Sequence, residues 1–324
     1  NDLSTARKTV AGSSLNSTLA LASGGFTSDE TGSTEEWNQT TGIGAWSTGT
    51  AVNTARQDGA GSGTSTSSLF FGGGPYPNSA LTESWNGTSW TEVNDLNQGR
   101  AVLCGAGVSN TSALAYAGVT EPGAVEAKTE TWNGSSWTEV NDLNSARYGA
   151  GRGVGTSTSA LAAGGNLGPP GLTANAETWN GSSWTEVNNL NTTRQQGASA
   201  GSSNTAALVF GGETATAKSA NTEVWNGSSF TESGDLNTAR DQLAGVGHFS
   251  STAVLGVGGK NASNNNIANN EEWNGASWVE VADLSNATKK SVGVGTTSSA
   301  LNISGGYPGG TNYTGVEEWS GSTN

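Results

Sequence analysis

The feature that most constrains this chain is a motif returning at an almost fixed interval: ETWNGSSWTEVNDLNSAR, Glu130 to Arg147, has close copies from one end of the sequence to the other. Aligned on the aromatic before the turn, the copies fall at Trp37, Trp85, Trp132, Trp179, Trp225, Trp273 and Trp319, 46 to 48 residues apart. A second aromatic follows five to nine residues later at Trp46, Trp90, Trp137, Trp184, Phe230 and Trp278; the seventh partner is missing because the sequence stops at Asn324. Seven such units override the two-domain prior set by 324 residues and argue for one array over 1–324 that closes on itself.

Inside each unit, Asn133-Gly134 is a two-residue hairpin signal of the type I′ kind, flanked by polar and aromatic alternation. That loop sets Trp132 opposite Ser135 and Glu130 opposite Trp137, with both tryptophans as diagonal neighbours on one face and Thr131, Ser136 and Thr138 on the other. A bulky face and a slim face suggest that each unit stacks its tryptophans on the slim side of the next. A basic residue closes each linker: Arg7, Arg56, Arg100, Arg147, Arg194, Arg240 and, in the last unit, Lys289. A small-residue strand follows, suited to a crowded centre, and then an apolar run ending in a glycine doublet, as in SALAAGG to Gly165, which reads as a strand buried on both faces. With 49 glycines, only 12% charged residues and no helix-forming run, the chain is all-β. Four strands, a to d, in a repeat of this length are the signature of a β-propeller blade, so the expected fold is a seven-bladed β-propeller.

The basic residue opening a small-residue strand, the glycine doublet, the aromatic in the third strand and the Trp in the fourth together resemble kelch repeats over essentially the whole chain. Three departures stand out: Trp where kelch repeats more often show Tyr, Ala117-Gly118 in place of a doublet, and NQTTGIGAW from Asn38 in place of the Asn-Gly turn. The wording WNGxSWTEVxxLNTAR is also similar to kelch-type repeats encoded by marine bacteriophages among structural or host-contact proteins. These resemblances imply a kelch-like propeller on a virion or cell surface, in an extracellular or virion-surface location.

The sequence begins at Asn1 in register with Asn141 and ends at WSGSTN, so the seventh blade is expected to lack its outer strand, to be supplied by further sequence or by a partner. With no methionine even at position 1, the sequence reads as processed or as a segment of something longer. No signal peptide and no apolar run of about 20 residues is present in it. A formal charge of −14 disfavours nucleic acid and anionic membranes as partners. The single cysteine, Cys104, forms no internal disulfide and reads as an alanine replacement in a buried strand.

Catalysis is weighed against these residues. Kelch propellers include the galactose oxidase group of copper enzymes, but one histidine, His248, does not make an imidazole-rich metal site or a usable triad. Carboxylate pairs such as Glu35-Glu36, Glu271-Glu272 and Glu317-Glu318 belong to the repeat and alternate across a strand, unlike the facing pair of a glycosidase. The acid-rich stretch from Asp29 to Glu36 could coordinate calcium through its carboxylates but lacks an EF-hand pattern. No cofactor and no metal is therefore expected, and the chain reads as non-catalytic.

Two sets of candidate binding residues remain. The seven basic residues would form a ring at the mouth of the array, either paired with repeat carboxylates such as Glu130 or Asp142 or holding an anion on the axis. The b-to-c loops are the segments that differ strongly between units, and Tyr76, Tyr307 and Tyr313 within them could stack on sugars or proteins or merely cover neighbouring loops. The expected function is a binding or structural module recognising glycan or protein through these loops. One alternative is a purely structural subunit with protein partners in a larger assembly, docking through the incomplete blade; another is a hydrolase built on carboxylates alone.

Overall fold

The computed structural model describes residues 11–16, 19–23, 34–38, 44–74, 77–151, 154–169, 171–247, 250–306 and 312–321. They fall into two compact units, one of residues 1–44 with 321–324 and one of residues 45–320. In the first, β1 (Ala11–Asn16), β2 (Leu19–Ser23) and β3 (Thr34–Asn38) form an antiparallel sheet in the order β1-β2-β3. The backbone register runs Ala11 opposite Ser23 and Leu21 opposite Glu36.

The second unit opens with β4 (Ala45–Gly49) and carries six four-stranded antiparallel sheets. Blade 1 joins Ala60–Gly63, Ser68–Phe71, Thr82–Trp85 and Trp90–Val93 as strands a to d. Blade 2 joins Cys104–Ser109, Ser112–Tyr116, Thr129–Trp132 and Trp137–Val140. Blade 3 has Gly155–Thr156, Ser159–Ala163, Ala176–Trp179 and Trp184–Val187, and blade 4 Ala198–Ser203, Ala206–Phe210, Thr222–Trp225 and Phe230–Glu232. Blade 5 has Ala244–Val246, Val254–Val257, Asn270–Trp273 and Trp278–Val281. Blade 6 takes Val292–Gly295, Ser299–Gly306 and Asn312–Ser320 from the last repeat and completes itself with β4. Strand a of each blade lies beside strand a of the next, and that of blade 6 lies beside that of blade 1. The molecule is an all-β β-propeller with four-stranded blades.

This corrects the expected seven-bladed arrangement: among the described residues there are six four-stranded blades, and strands a to c of the first repeat form the separate three-stranded sheet β1-β2-β3. The last repeat is not left with an open edge: β4, the fourth strand of the first repeat, pairs with strand c of blade 6, Trp46 opposite Trp319 and Ser47 opposite Glu318. The two indoles meet at 5.3 Å, as the tryptophan pairs of the other blades do. A strand with the d-type pattern satisfies any c-type edge, and here Ser47 meets Glu318, 271 residues away, while the first repeat keeps the three-stranded sheet β1-β2-β3.

A second correction concerns the hairpin. Trp132 pairs directly with Trp137 and Glu130 with Glu139, so four residues, Asn133 to Ser136, make the turn. Gly134 sits at φ +96° while Asn133 stays out of the left-handed region, because its side-chain Oδ1 accepts hydrogen bonds from the amides of Ser135 and Ser136, both at 2.9 Å. The tryptophans share one face as expected, but as a directly opposed pair with ring centroids 5.4 Å apart. They pack toward the preceding blade. Trp137 lies 4.9 Å from Phe71 and donates to Thr82 Oγ1, and Trp184 and Trp278 repeat the arrangement on Tyr116 and Phe210. Burying an indole in this way is worth about 2–3 kcal/mol, and Trp137, Trp184 and Trp278 each do so.

The centre is closed by small residues, as the small-residue strands require. Gly61, Gly105, Gly245 and Gly293 line a residual cavity of about 10 Å³. A Cβ on Gly293 would lie 2.7 Å from the Gly245 carbonyl oxygen. Cys104, fully buried, holds the register of Ala60, Ala198 and Ala244, as the sequence indicates.

Above this plug runs a ring of six backbone hydrogen bonds of 2.7–3.2 Å. Val102 N–H donates to Asp58, Gly149 to Val102, Gln196 to Gly149, Gln242 to Gln196, Lys290 to Gln242, and Asp58 back to Lys290. All six residues have φ between +52° and +61°. Left-handed backbone is costly for residues with a Cβ, most of all for β-branched Val102, by roughly 1–2 kcal/mol each. The closed cycle of hydrogen bonds holds them there, and it joins blade 6 to blade 1 by the same contact that joins every other pair.

Candidate functional site

The basic residues of the repeat come first. Arg56, Arg100, Arg147, Arg194 and Arg240 are all at most 2% exposed. Each pairs with the strand c glutamate of its own blade, Glu83, Glu130, Glu177, Glu223 and Glu271, at 2.5–3.2 Å. Arg100 Nη1 also donates to the carbonyls of Ala117 and Lys128, and Arg147 and Arg194 do the same in their blades. The other carboxylate oxygen accepts from the linker: Asn97 N–H and Asn97 Nδ2 both donate to Glu130 Oε2 at 2.8 Å, while Nδ2 also reaches the Trp137 carbonyl. Burial lowers the pKa of each guanidinium and the paired glutamate opposes that shift. The pairing with repeat carboxylates is what the structure forms at these five positions, and the guanidinium groups do not reach the axial surface. Arg7, Tyr76, Tyr307 and His248 lie outside the described residues.

Lys289 is not the sixth member of this set. Gly259 N–H donates to the Thr288 carbonyl just as Gly212 N–H donates to that of Arg240, so Thr288 holds the arginine register and Lys289 falls one residue beyond. The sequence misleads here because Thr288 is followed by a Lys-Lys pair, and the alignment is drawn to the charge. Tyr313 starts strand c of blade 6 partly buried, its ring folded over Gly315, where a Cβ would lie 1.7 Å from its Cζ. That is the covering arrangement rather than an open stacking platform.

What does face the axial mouth is the pair of residues after each arginine position. In blades 2 and 3 these are Ala101-Val102 and Tyr148-Gly149; in blades 4, 5, 6 and 1 they are Gln195-Gln196, Asp241-Gln242, Lys289-Lys290 and Gln57-Asp58. The ring is thus divided into an apolar arc and a contiguous polar arc. The first residue of each pair bridges to the residue after the glycine doublet, bringing Gly74, Val119, Asn166, Glu213, Lys260 and Gly306 to the same face. The signal was present in the sequence as two invariably non-repeating positions directly after a repeating one, but their side-chain direction depends on the left-handed backbone of the ring.

Four of the six lysines of the chain gather on the polar arc: Lys218, Lys260, Lys289 and Lys290. Two are neutralised. Lys218 Nζ donates to Asp241 at 2.8 Å and to Glu213 at 2.9 Å, and Lys290 Nζ to Asp58 at 2.6 Å. Burial alone would lower the Lys218 pKa, but its hydrogen bonds to the two carboxylates outweigh this and leave it raised, while the same contact holds Glu213 below the usual range. Lys260 and Lys289 make no ion pair among the described residues. Burial lowers the Lys289 pKa, and the neighbouring Lys260 and Lys290 lower it further, against weaker support from Asp58 and Asp241. Around them lie Gln57, whose Oε1 sits 2.5 Å from where a Cβ on Gly306 would be, and Asn266, whose Nδ2 donates to the Gly306 carbonyl. An ammonium held below its ordinary pKa by burial and then by neighbouring ammoniums is stabilised by any anion that docks beside it.

The carboxylates offer less. Glu213 and Asp241 are both engaged by Lys218, and among the described residues no three His, Cys, Asp or Glu side chains come together in a metal-holding group. No protein-family model matches the sequence, and no curated protein matches it as a relative.

Proposed function

We propose that this chain is a non-catalytic recognition module, a kelch-like propeller acting on a virion or cell surface, which takes an acidic glycan on the polar arc of its axial face. The observation that carries the reading is the juxtaposition of Lys260 and Lys289, two cations without carboxylate partners among the described residues, on a protein of net charge −14. Local positive charge on a globally acidic molecule repels most acidic partners at long range and rewards only a ligand that places its anion at this spot. The surrounding chemistry suits a sugar. Gln57 and Gln196 offer amides that both donate and accept, and Tyr148 offers a flat ring on the same face.

The alternative of an assembly subunit docking through an incomplete blade would move from the last sheet, whose edge β4 occupies, to the three-stranded sheet β1-β2-β3. The test is binding of uronic-acid-containing and sulfated oligosaccharides, set against neutral ones, to the intact chain and to the K260Q/K289Q double variant. The reading predicts selective binding of the acidic sugars and at least a tenfold loss in the variant with the thermal midpoint retained. Equal binding by both proteins, or none by either, overturns it.

A further inference from the structure

Blade 6 differs from its sisters at one buried position. In all six blades, one oxygen of the strand c glutamate accepts the linker amide: from Asn53, Asn97, Asn144, Asn191, Asn237 and, in blade 6, Ser285, at 2.7–2.8 Å. In blades 1 to 5 the other oxygen faces a guanidinium. In blade 6 the arginine is Thr288 and the linker asparagine is Ser285, so Glu317 loses both side-chain donors together. Glu317 is 3% exposed, and its Oε1 has no hydrogen-bond partner. Two further oxygens share this condition. Asn302, directly opposite Glu317 in the b–c register and 3% exposed, has an unpartnered Oδ1, and Thr288, 1% exposed, has an unpartnered Oγ1. The position opposite the glutamate is Ala115 in blade 2 and Ala162 in blade 3, so blade 6 has gained an oxygen there where it lost a cation.

A buried carboxylate oxygen without a donor costs several kcal/mol, and here neither the Thr288 hydroxyl nor the Asn302 amide, each able to donate, bonds to Glu317 Oε1. We propose that the arginine slot of blade 6 binds a monovalent cation of potassium or ammonium size, held by Glu317 Oε1, Asn302 Oδ1 and Thr288 Oγ1 in place of the guanidinium. Charge selects the valence. One carboxylate and two neutral oxygens balance a single positive charge, as the guanidinium does in the other blades. The hard oxygen donors exclude thiophilic metals, and a dry site favours a weakly hydrated ion over magnesium, which keeps its waters. The cation here is part of the framework and stands apart from the ligand proposed for the axial face.

The direct test is anomalous diffraction from crystals of the whole chain grown or soaked in rubidium chloride. A rubidium peak bonded to Glu317 Oε1 and Asn302 Oδ1 is expected. No peak, with the Asn302 amide turned so that its nitrogen donates to Glu317, or a water there in every salt, overturns the proposal. In solution, replacing choline chloride by potassium or ammonium chloride at equal ionic strength is expected to raise the thermal midpoint by at least about 2 °C. T288R, which restores the guanidinium, should lose that increment, and so should E317Q, which keeps an acceptor for the Ser285 amide. An equal salt response in wild type and in whichever of these variants folds overturns it.

Discussion

At the scale of single residues, a cation in the repeat's arginine position and one a single residue beyond that register behave in opposite ways. Arg147 and Glu177 are both fully buried and satisfy each other together with three carbonyls and the Asn144 amide. Removing one partner leaves the other charge buried, so R147M is expected to cost about 3–5 kcal/mol in denaturant unfolding, and R147M/E177L clearly less than the sum of the two single changes. Lys289 behaves in the opposite sense. Its folded pKa lies below its unfolded value, so the unfolded chain holds the proton more tightly and the charged lysine opposes folding at neutral pH; the penalty fades as pH rises from the folded pKa through the unfolded one. K289M should therefore raise the thermal midpoint at pH 7 while weakening acidic-ligand binding, and its thermal gain should vanish above about pH 11. A K289M chain less stable than wild type at pH 7 contradicts this assignment. The arginine–glutamate pairing was legible in the sequence because both residues recur. The one-residue slip at Thr288 was not, because only the backbone hydrogen bonds of the glycine doublet mark the register.

At the scale of elements, the four strands of each unit and their order could be read directly from glycine doublets, apolar runs and paired aromatics. The hairpin register could not. Asn-Gly is the signal of two different turns, and the choice lies in whether the asparagine side chain bonds forward. Here Asn133 Oδ1 holds the amides of Ser135 and Ser136, and Asn86, Asn180 and Asn226 do the same in their own hairpins. The expected outcome separates the two turns: N133G would be nearly neutral at a positive-φ turn position, whereas loss of the Oδ1 acceptor should cost about 1 kcal/mol, with N133D close to wild type. Chemical denaturation of the three proteins reads this. The strands were also silent on partner choice. β4 carries the same pattern as every other d strand, and nothing in AWSTG says whether it pairs within its own repeat or with the last one.

At the scale of the molecule, closure makes the axial face. The ring of six left-handed residues ends only because Asp58 donates to Lys290, and the same closure brings Lys290 to Asp58 and leaves Lys289 beside Lys260. The repeat supplies a rigid frame, and the paired residues after each arginine position, free of the frame, supply the division into polar and apolar arcs. Both the proposed ligand site and the slot in which Thr288 replaces the arginine belong to blade 6 and its neighbours, where the repeat is least regular. The account therefore stands on β4 completing blade 6, and one crosslinking measurement tests it. Ser47 and Glu318 face each other across that pairing with both side chains exposed, and the native Cys104 is a buried thiol in no disulfide. Opposed positions of an antiparallel pair come within disulfide reach. In S47C/E318C, mild oxidation followed by peptide mass spectrometry should find the peptide containing position 47 joined to the one containing position 318 in the monomer. Two thiols that remain open to alkylation under the same conditions, in a protein that is still folded, would contradict it.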